Sequence, residues 1–581
     1  VPIDYSLKER AEELLDLFEK RFNNIKENPE FGFLIRPLDE GNAVKLAREL
    51  FGDGEHKAVG IDGTMLQEEA LEMLLFYVSA MGYSAPFRVD DGGVTFDLKR
   101  LEKEEEFSMS SVIPLWLEDL PNVAVTASGL ADVSEIGVEV TFSVMLMAEV
   151  WAGIKALENG AKVLFMDRPL SGSYQTLSRD VRRFLKMDRS ALKKLYGDEL
   201  ANDVLLLLLL GYKEAPTPER PSYFFHRAVA ELMKGPISPY ELARRLGYEG
   251  EKRMKRMMEK LNRLNERRDI FELSLNRISL KEKVVNGFRE RAYRAATDFV
   301  NRVFSGKGHP FRVGDDWVTT PEINSMNFIL LQRLIELSYE RKALLIGIAK
   351  DTNASEYVRS VVPLLIDRGS VKPSIKPRIR HDRIYLTMVS SGNPEVTKPA
   401  WRSIGYDACF STMIKDEVRD VIRAARRMVS RERLFIRGYF QLRASKHSLY
   451  RSPVFFYDRP YMRTFDEDNL VEIEFEEEGR KVRSKVYLEE KGSPLDNLIL
   501  YILKGSDNPE IFEAYGHNML LYMADKAVKA DGELAKGLLR GLVSLKLTPL
   551  ARRERLYSVI RRFREARGEM ESRRKERSSY S

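Results

Sequence analysis

The sequence holds little cysteine, histidine or glutamine, and each shortage excludes something. A single cysteine, Cys409, leaves no internal disulfide framework and no cysteine-based zinc site. It suits a reducing cytoplasm. The six histidines (His56, His226, His309, His381, His447 and His517) contain no i, i+4 pair, which argues against a zinc hydrolase. Glutamine occurs only at Gln67, Gln175, Gln332 and Gln441, while Glu, Lys and Arg abound. That bias points to a thermophilic source. No Walker phosphate loop and no Gly-x-Ser-x-Gly elbow is present, so any ATP-driven movement falls to a partner. The longest apolar run, Val204 to Leu210, is far short of the roughly 20 residues that span a bilayer. The polar, charged first residues do not read as a secretory signal. These features set the expectation of a cytoplasmic protein without membrane attachment.

What is present is a well-cored chain of 581 residues, 44% hydrophobic and 31% charged, long enough for two to four domains. With 94 basic and 88 acidic side chains the net charge is +6, which permits nucleic-acid binding without demanding it. The informative stretch lies between Ala58 and Asp167. Ala58-Val59-Gly60-Ile61-Asp62-Gly63-Thr64 opens it and Lys162-Val163-Leu164-Phe165-Met166-Asp167 closes it. Each is a short apolar run stopping at an aspartate and followed by a loop signal, which reads as a buried strand. A helical pattern from Val144 to Glu158, stopped by Asn159-Gly160, carries Glu149 between them. Two strand-end aspartates and a helical glutamate are hard oxygen donors, suited to Mg²⁺ or Mn²⁺. On spacing alone, Glu149 reads equally as an ordinary helix-surface residue.

The rest of the chain supports an α/β reading with a mixed sheet flanked by helices. Helices are expected at Ser6–Asn28 and Glu40–Phe51, and a hairpin turn at Asp90-Asp91-Gly92-Gly93. Gln67 to Met81 fits helix or strand, Arg100 to Glu106 reads as a solvated charge run, and Val123-Ala124-Val125 as a strand. Ser173 to Asn301 is mostly helical in pattern. Within it, Ser238-Pro239-Tyr240-Glu241 is a helix start, Gly247 a stop, and Lys252 to Asn265 a second helix bearing Lys252, Arg253, Lys255, Arg256, Lys260 and Arg263. With Arg268 to Leu280 as a candidate wing, this resembles a helix-turn-helix. The competing reading is a basic helix on a helical insertion, and both stay open. Strands are expected at Ala343–Ala349, Arg383–Val389, Leu434–Leu442, Val454–Tyr457 and Val471–Phe475, and helices at Pro509–Ala530 and Thr548–Arg567. Cys409 reads as a buried packing residue. Arg443, Lys446, His447, Tyr450, Arg451 and Tyr457 mix bases with aromatics, as a strand-threading path would and as a polar sheet face also would.

The ordered set of motifs resembles the NurA nuclease family. Gly60-Ile61-Asp62-Gly63-Thr64 is similar to its DGS-type first motif, and Glu149 followed by Asp167-Arg168-Pro169-Leu170 to its E…DGPL block. Leu345 to Asp351 is similar to its strand ending in Lys-Asp, and Arg451 to Tyr457 to its late strand. The resemblance spans most of the chain except Leu192 to Arg302. It implies an RNase H-like core over 1–190 and 303–548, a helical insertion over 191–302 with a possible winged helix-turn-helix, and a basic C-terminal helix and tail over 549–581. It implies a DNA nuclease using Mn²⁺ or Mg²⁺, with two ions, acting on DNA ends in resection for recombinational repair. The implied partners are DNA, a HerA-type hexameric ATPase and a second copy in a homodimer. The implied metal ligands are Asp62, Glu149 and Asp167, with Lys350 beside the scissile phosphate; the strand-threading reading of the residues adds Arg443, Lys446 and Arg451, and with them Tyr515, as expected DNA contacts.

Two motifs depart from the family pattern. Arg168 stands where the family has glycine. Against a GYP…L…AH pattern, His517 and Asp525 stand where tyrosine and histidine are expected. Asp525 then serves as a further oxygen ligand and His517 as a catalytic phosphate contact, with Tyr515 as an alternative for the tyrosine. The same departures motivate the opposite expectation, a scaffold that has lost catalysis and binds DNA or docks on the ATPase.

Overall fold

The computed structural model describes residues 3–26, 33–70, 73–123, 133–218, 221–305, 308–350, 354–370, 381–392, 400–408, 413–416, 421–424, 434–443, 451–477, 480–508, 510–511 and 516–553. Its centre is an 11-stranded mixed sheet. In chain order the strands are β1 (Ile35–Pro37), β2 (Gly54–Ala70), β3 (Met73–Asp90), β4 (Gly93–Phe96), β5 (Glu102–Trp116), β6 (Ala161–Met166), β7 (Leu344–Ala349), β8 (Trp401–Ser403), β9 (Tyr406–Asp407), β10 (Phe435–Gln441) and β11 (Phe455–Pro460). Across the sheet they run β1-β8-β10-β11-β7-β6-β2-β3-β4, with β5 beside β3 and β9 beside β10.

Only the middle is parallel. β6 pairs with β2 on one side (Ala58 with Val163, Ile61 with Met166) and with β7 on the other (Leu344 with Val163, Gly347 with Met166). Parallel neighbours need long crossovers. The β3 and β5 hairpins and the helix Val133–Glu158 provide the first, and the helices between Leu170 and Glu340 the second. Helical layers cover both faces of β6, so Val163 to Met166 form an unbroken apolar run without alternation.

β2 does not stop at Asp62. It pairs with β3 from Gly54 opposite Val89 to Ala70 opposite Met73. The expected strand end is instead the point where pairing with β6 ends, one residue past Ile61. Gln67 to Met81, ambiguous by periodicity, is therefore strand except for 71–72, which lie outside the described residues. The charge run Arg100 to Glu106 leads into β5, its side chains mostly exposed.

Other expectations are corrected. Val123 ends a short helix, Leu120–Val123, rather than starting a strand. Arg383–Val389 lies in the helix Asp382–Gly392. Its buried residues Tyr385, Leu386, Met388 and Val389 follow an i, i+1, i+3, i+4 pattern, which is one helical face. The helix placed at Pro509–Ala530 begins at Met519, where Asn518 Oδ1 accepts the Leu521 amide at 3.0 Å. It continues unbroken to Arg553, so Thr548-Pro549 does not start a new one. Cys409, Lys446, His447, Tyr450, Tyr515 and 554–581 lie outside the described residues.

The helix Val133–Glu158 passes the length and apolarity test for a membrane span, yet is mostly buried. It packs between the sheet and Thr320–Glu340, itself a nearly fully buried helix. The helices of 191–302 share one continuous apolar core with this layer.

Candidate active site

The carboxyl end of the parallel strands is where the first motif residues meet, as expected for open α/β sheets. Asp167 is the first residue after β6, and its amide donates to the Ile61 carbonyl at 3.1 Å. Asp62 is the neighbouring residue of β2. Lys350 is the first residue after β7, and its Nζ lies 2.8 Å from Asp167 Oδ2. Asp525 arrives from the second turn of Met519–Arg553. One carboxylate oxygen from each of Asp62, Asp167 and Asp525 lies within 4.8 Å of the others.

Two glycines make this approach possible. A Cβ on Gly60 would sit 2.7 Å from Leu520 Cβ and 2.8 Å from the Leu520 carbonyl carbon. Only glycine lets the start of the C-terminal helix lie on β2, which brings Asp525 to Asp62. A Cβ on Gly63 would sit 2.5 Å from Glu149 Oε1, so the bare backbone there leaves room for the glutamate. The Gly63 amide donates to Asp62 Oδ1 at 2.8 Å and orients that carboxyl.

Glu149 reaches the same cleft but is paired otherwise. Its carboxylate forms a buried ion pair with Arg168, each side chain under a tenth exposed. Both line a cleft of about 500 Å³ with Asp62, Asp167 and Lys350, walled by Phe142, Met145, Leu146 and Leu177. Burial pushes the Glu149 pKa up, and Arg168 pulls against it.

The three aspartates are unequal. Burial, then repulsion from Asp167 and Glu149, raises Asp62 to about 9. Burial acts on Asp525 too, but the Lys529 hydrogen bond at 2.8 Å and the Lys350 charge hold its pKa below the ordinary value. Burial also works to lower Lys350, yet Asp167 and then Asp62 and Asp525 raise it. The cluster is thus short of positive charge even with Lys350 in place. A group of oxygen donors that holds a proton so tightly fits a hard divalent cation.

The remaining candidates sit differently. His517 is buried, stacked on Phe455 with ring centroids 5.3 Å apart. Neither ring nitrogen has a hydrogen-bond partner among the described residues. Burial, then Lys350, lowers its pKa to about 3, so it stays neutral. The structure gives it a packing contact with Phe455, and it is not among the residues lining the cleft. Arg443 donates to Asp507 at 2.6 Å and Arg451 to Ser391 at 2.8 Å; neither lines the cleft.

Two residues escaped the sequence reading. Asp458 on β11 is fully buried and accepts from the Leu170 amide at 2.9 Å, the Ser171 amide at 3.0 Å and Ser171 Oγ at 2.5 Å. It fixes the turn that directs Asp167 and Arg168. Arg437 donates to Ser171 Oγ at 2.8 Å from behind. An aspartate beside Tyr457 inside an apolar strand was the available signal.

No protein-family model and no curated protein matches the chain. Among solved structures, the NurA nuclease from Sulfolobus solfataricus is similar over 94% of this chain and 98% of its own, at 10% identity and TM-score 0.34. A NurA structure with manganese covers 93% and 98%, at 10% identity and TM-score 0.36. A NurA structure bound to dAMP and manganese covers 91% and 94%, at 11% identity and TM-score 0.32.

Proposed function

We propose that the protein is a divalent-metal-dependent deoxyribonuclease whose cleft opens at the carboxyl end of β6 and β7. The observation that carries this reading is the convergence of Asp62, Asp167 and Asp525, from separate elements, within 4.8 Å. Mn²⁺ or Mg²⁺, held by these three residues with Glu149 next to them, would supply Lewis acidity towards a phosphoryl oxygen and a water acidic enough to react near neutral pH. With a cation held there, Asp62 would be ionised, and Lys350, 2.8 Å from Asp167, would be placed to offer its ammonium to a non-bridging phosphate oxygen or the departing oxygen, where charge develops. Asp458 and Arg437 keep the loop after Asp167 in place.

The motif resemblance extends the proposal to an RNase H-like core, to DNA ends as substrate, and to end resection beside a HerA-type hexameric ATPase. It also extends it to two metal ions, a homodimer and a cytoplasmic setting. The test is Mn²⁺-dependent cleavage of end-labelled linear DNA, with and without such an ATPase. Asp62→Ala and Asp167→Ala are expected to fold and lose cleavage; unchanged cleavage by both removes the mechanism.

One observation favours a second reading, a catalytically degenerate scaffold that binds DNA or docks on an ATPase. Arg168 occupies the carboxylate of Glu149, which removes a ligand from the cluster. Calorimetry separates the two: Mn²⁺ binding abolished in Asp62→Ala supports the catalytic site, and no binding in the parent protein supports the scaffold.

A further inference from the structure

The segment Phe224 to Leu280 folds as a compact unit. The helix Phe224–Leu232 is followed by Pro239–Leu246, then by Glu251–Arg268 and a two-stranded hairpin of Phe271–Leu273 with Ile278–Leu280. Ser238 caps the second helix, accepting the Glu241 amide at 3.2 Å, and Gly247 ends it with φ 74°. Ile237 bridges Ile278 as a third short strand. Leu242, Leu246, Met257, Leu261, Phe271 and Ile278 are buried within it. Asn265 ties the long helix to the hairpin through both the amide and the carbonyl of Phe271, at 2.7 and 3.1 Å. Three helices and a hairpin in this order make a helix-turn-helix with a wing.

The charge on the third helix is sorted. At about 100° per residue, Lys252, Arg253, Arg256, Lys260, Arg263 and Arg267 fall within an arc of about 100°. The buried Met257 and Leu261 lie on the neighbouring side, and Glu251, Glu259 and Glu266 fall outside the basic arc. All six basic residues are exposed, and none forms an ion pair among the described residues. Nearby arginines behave otherwise: Arg244 and Arg245 pair with Glu241, and Arg291 pairs with Asp203. At the wing tip Leu275 is 96% exposed and Arg277 projects beside it.

We propose that this unit is a second nucleic-acid site, gripping duplex DNA with the helix Glu251–Arg268 in the major groove and the wing on the adjacent backbone. A helix with side chains, about 10–12 Å wide, fits the roughly 12 Å major groove of B-DNA. It does not fit the deep, narrow major groove of duplex RNA. Single strands are bound through aromatic platforms, and this helix has no aromatic residue. Lys260 donates to the Tyr248 hydroxyl at 2.8 Å; the exposed lysines and arginines of the arc, without carboxylate partners among the described residues, are phosphate contacts, so binding is driven by the backbone and is strongly salt-dependent.

The unit stands apart from the carboxylate cleft. Arg268 donates to the Leu185 carbonyl, just beyond the helix Leu170–Phe184, whose first turns line the cleft. The cleft lining reaches Leu177, eight residues before Leu185, or about 12 Å along the helix, so the unit meets the body beyond the cleft-lining residues. The proposal therefore does not rest on the nuclease reading.

The test uses the full chain, a chelator to prevent cleavage, and fluorescence anisotropy with a labelled DNA duplex, the matching single strand and a duplex RNA. The Arg253→Glu, Arg256→Glu double variant is expected to bind the DNA duplex at least ~10-fold more weakly, with the salt slope reduced by about two. Lys255→Glu changes the same kind of charge outside the arc and is expected to stay within about twofold of the parent. Thermal melting checks that both variants fold, and the glutamine double variant replaces the charge reversal if it does not. Unchanged duplex binding in the double variant, equal losses in the double variant and Lys255→Glu, or equal affinity for duplex RNA overturns the proposal.

Discussion

Arg168 and Glu149 form a buried ion pair at the rim of a three-aspartate cluster. In the motif that the chain resembles, the position of Arg168 holds glycine. The Arg168 guanidinium is thus a fixed cation that compensates the buried Glu149 carboxylate.

Removing that cation is expected to be costly without metal and much less so with it. Arg168→Gly leaves a buried carboxylate unpaired, a loss of about 3–5 kcal/mol for such pairs. Mn²⁺ then compensates Glu149, so melting in Mn²⁺ and in chelator should diverge far more for the variant than for the parent. Equal shifts in both proteins would show that Glu149 does not take part in ion binding.

On the proposed mechanism, Lys350 would contribute to chemistry rather than to ion retention. Its ammonium offsets the cluster's charge, so Lys350→Met should leave Mn²⁺ affinity unchanged or tighter. Cleavage at saturating Mn²⁺ should fall on the order of 10²-fold, as when a group that stabilises developing charge is lost. Calorimetry and single-turnover cleavage measure the two effects separately. Weaker ion binding in the variant would contradict this assignment.

The pKa of Asp62, raised to about 9, gives a pH dependence with a definite sign. The folded state holds the proton more tightly than the unfolded chain does. Its contribution to stability is full below the ordinary value of 3.8, declines above it, and is lost as pH rises through about 9. In chelator, Asp62→Asn should therefore gain on the parent with rising pH, by at most about 1.4 kcal/mol per unit. An incoming cation must displace the proton, so Mn²⁺ should bind more tightly as pH approaches 9 and release close to one proton. Calorimetry in buffers of different ionisation enthalpy counts that proton.

How far the site could be read from the sequence follows from how local each cause is. Asp62 and Asp167 end apolar runs, and a buried strand writes that signal into a few adjacent residues. The α/β pattern and the third, basic helix of the 224–280 unit were legible for the same reason. The extension of β2 was not, because Met65 to Ala70 is rich in helix formers and becomes strand only through pairing with β3. Tertiary context likewise stacked His517 on Phe455. Asp458 acts through a loop far away in sequence, so its place in an apolar strand signals its burial but not its partner.

The convergence of the third aspartate depends on Gly60, which yields a final prediction. Gly60→Ala puts a methyl group 2.7 Å from Leu520 Cβ, and β2 is held on both sides, by β3 and β6. The C-terminal helix must therefore move, at an overpacking cost of about 1–3 kcal/mol. Asp525 moves with it, while Asp62 and Asp167 stay on the sheet. Mn²⁺ binding by Gly60→Ala should weaken to the level of Asp525→Asn, and combining the two should add little, because both remove the same ligand. Additive losses would mean that Gly60 affects the site by another route.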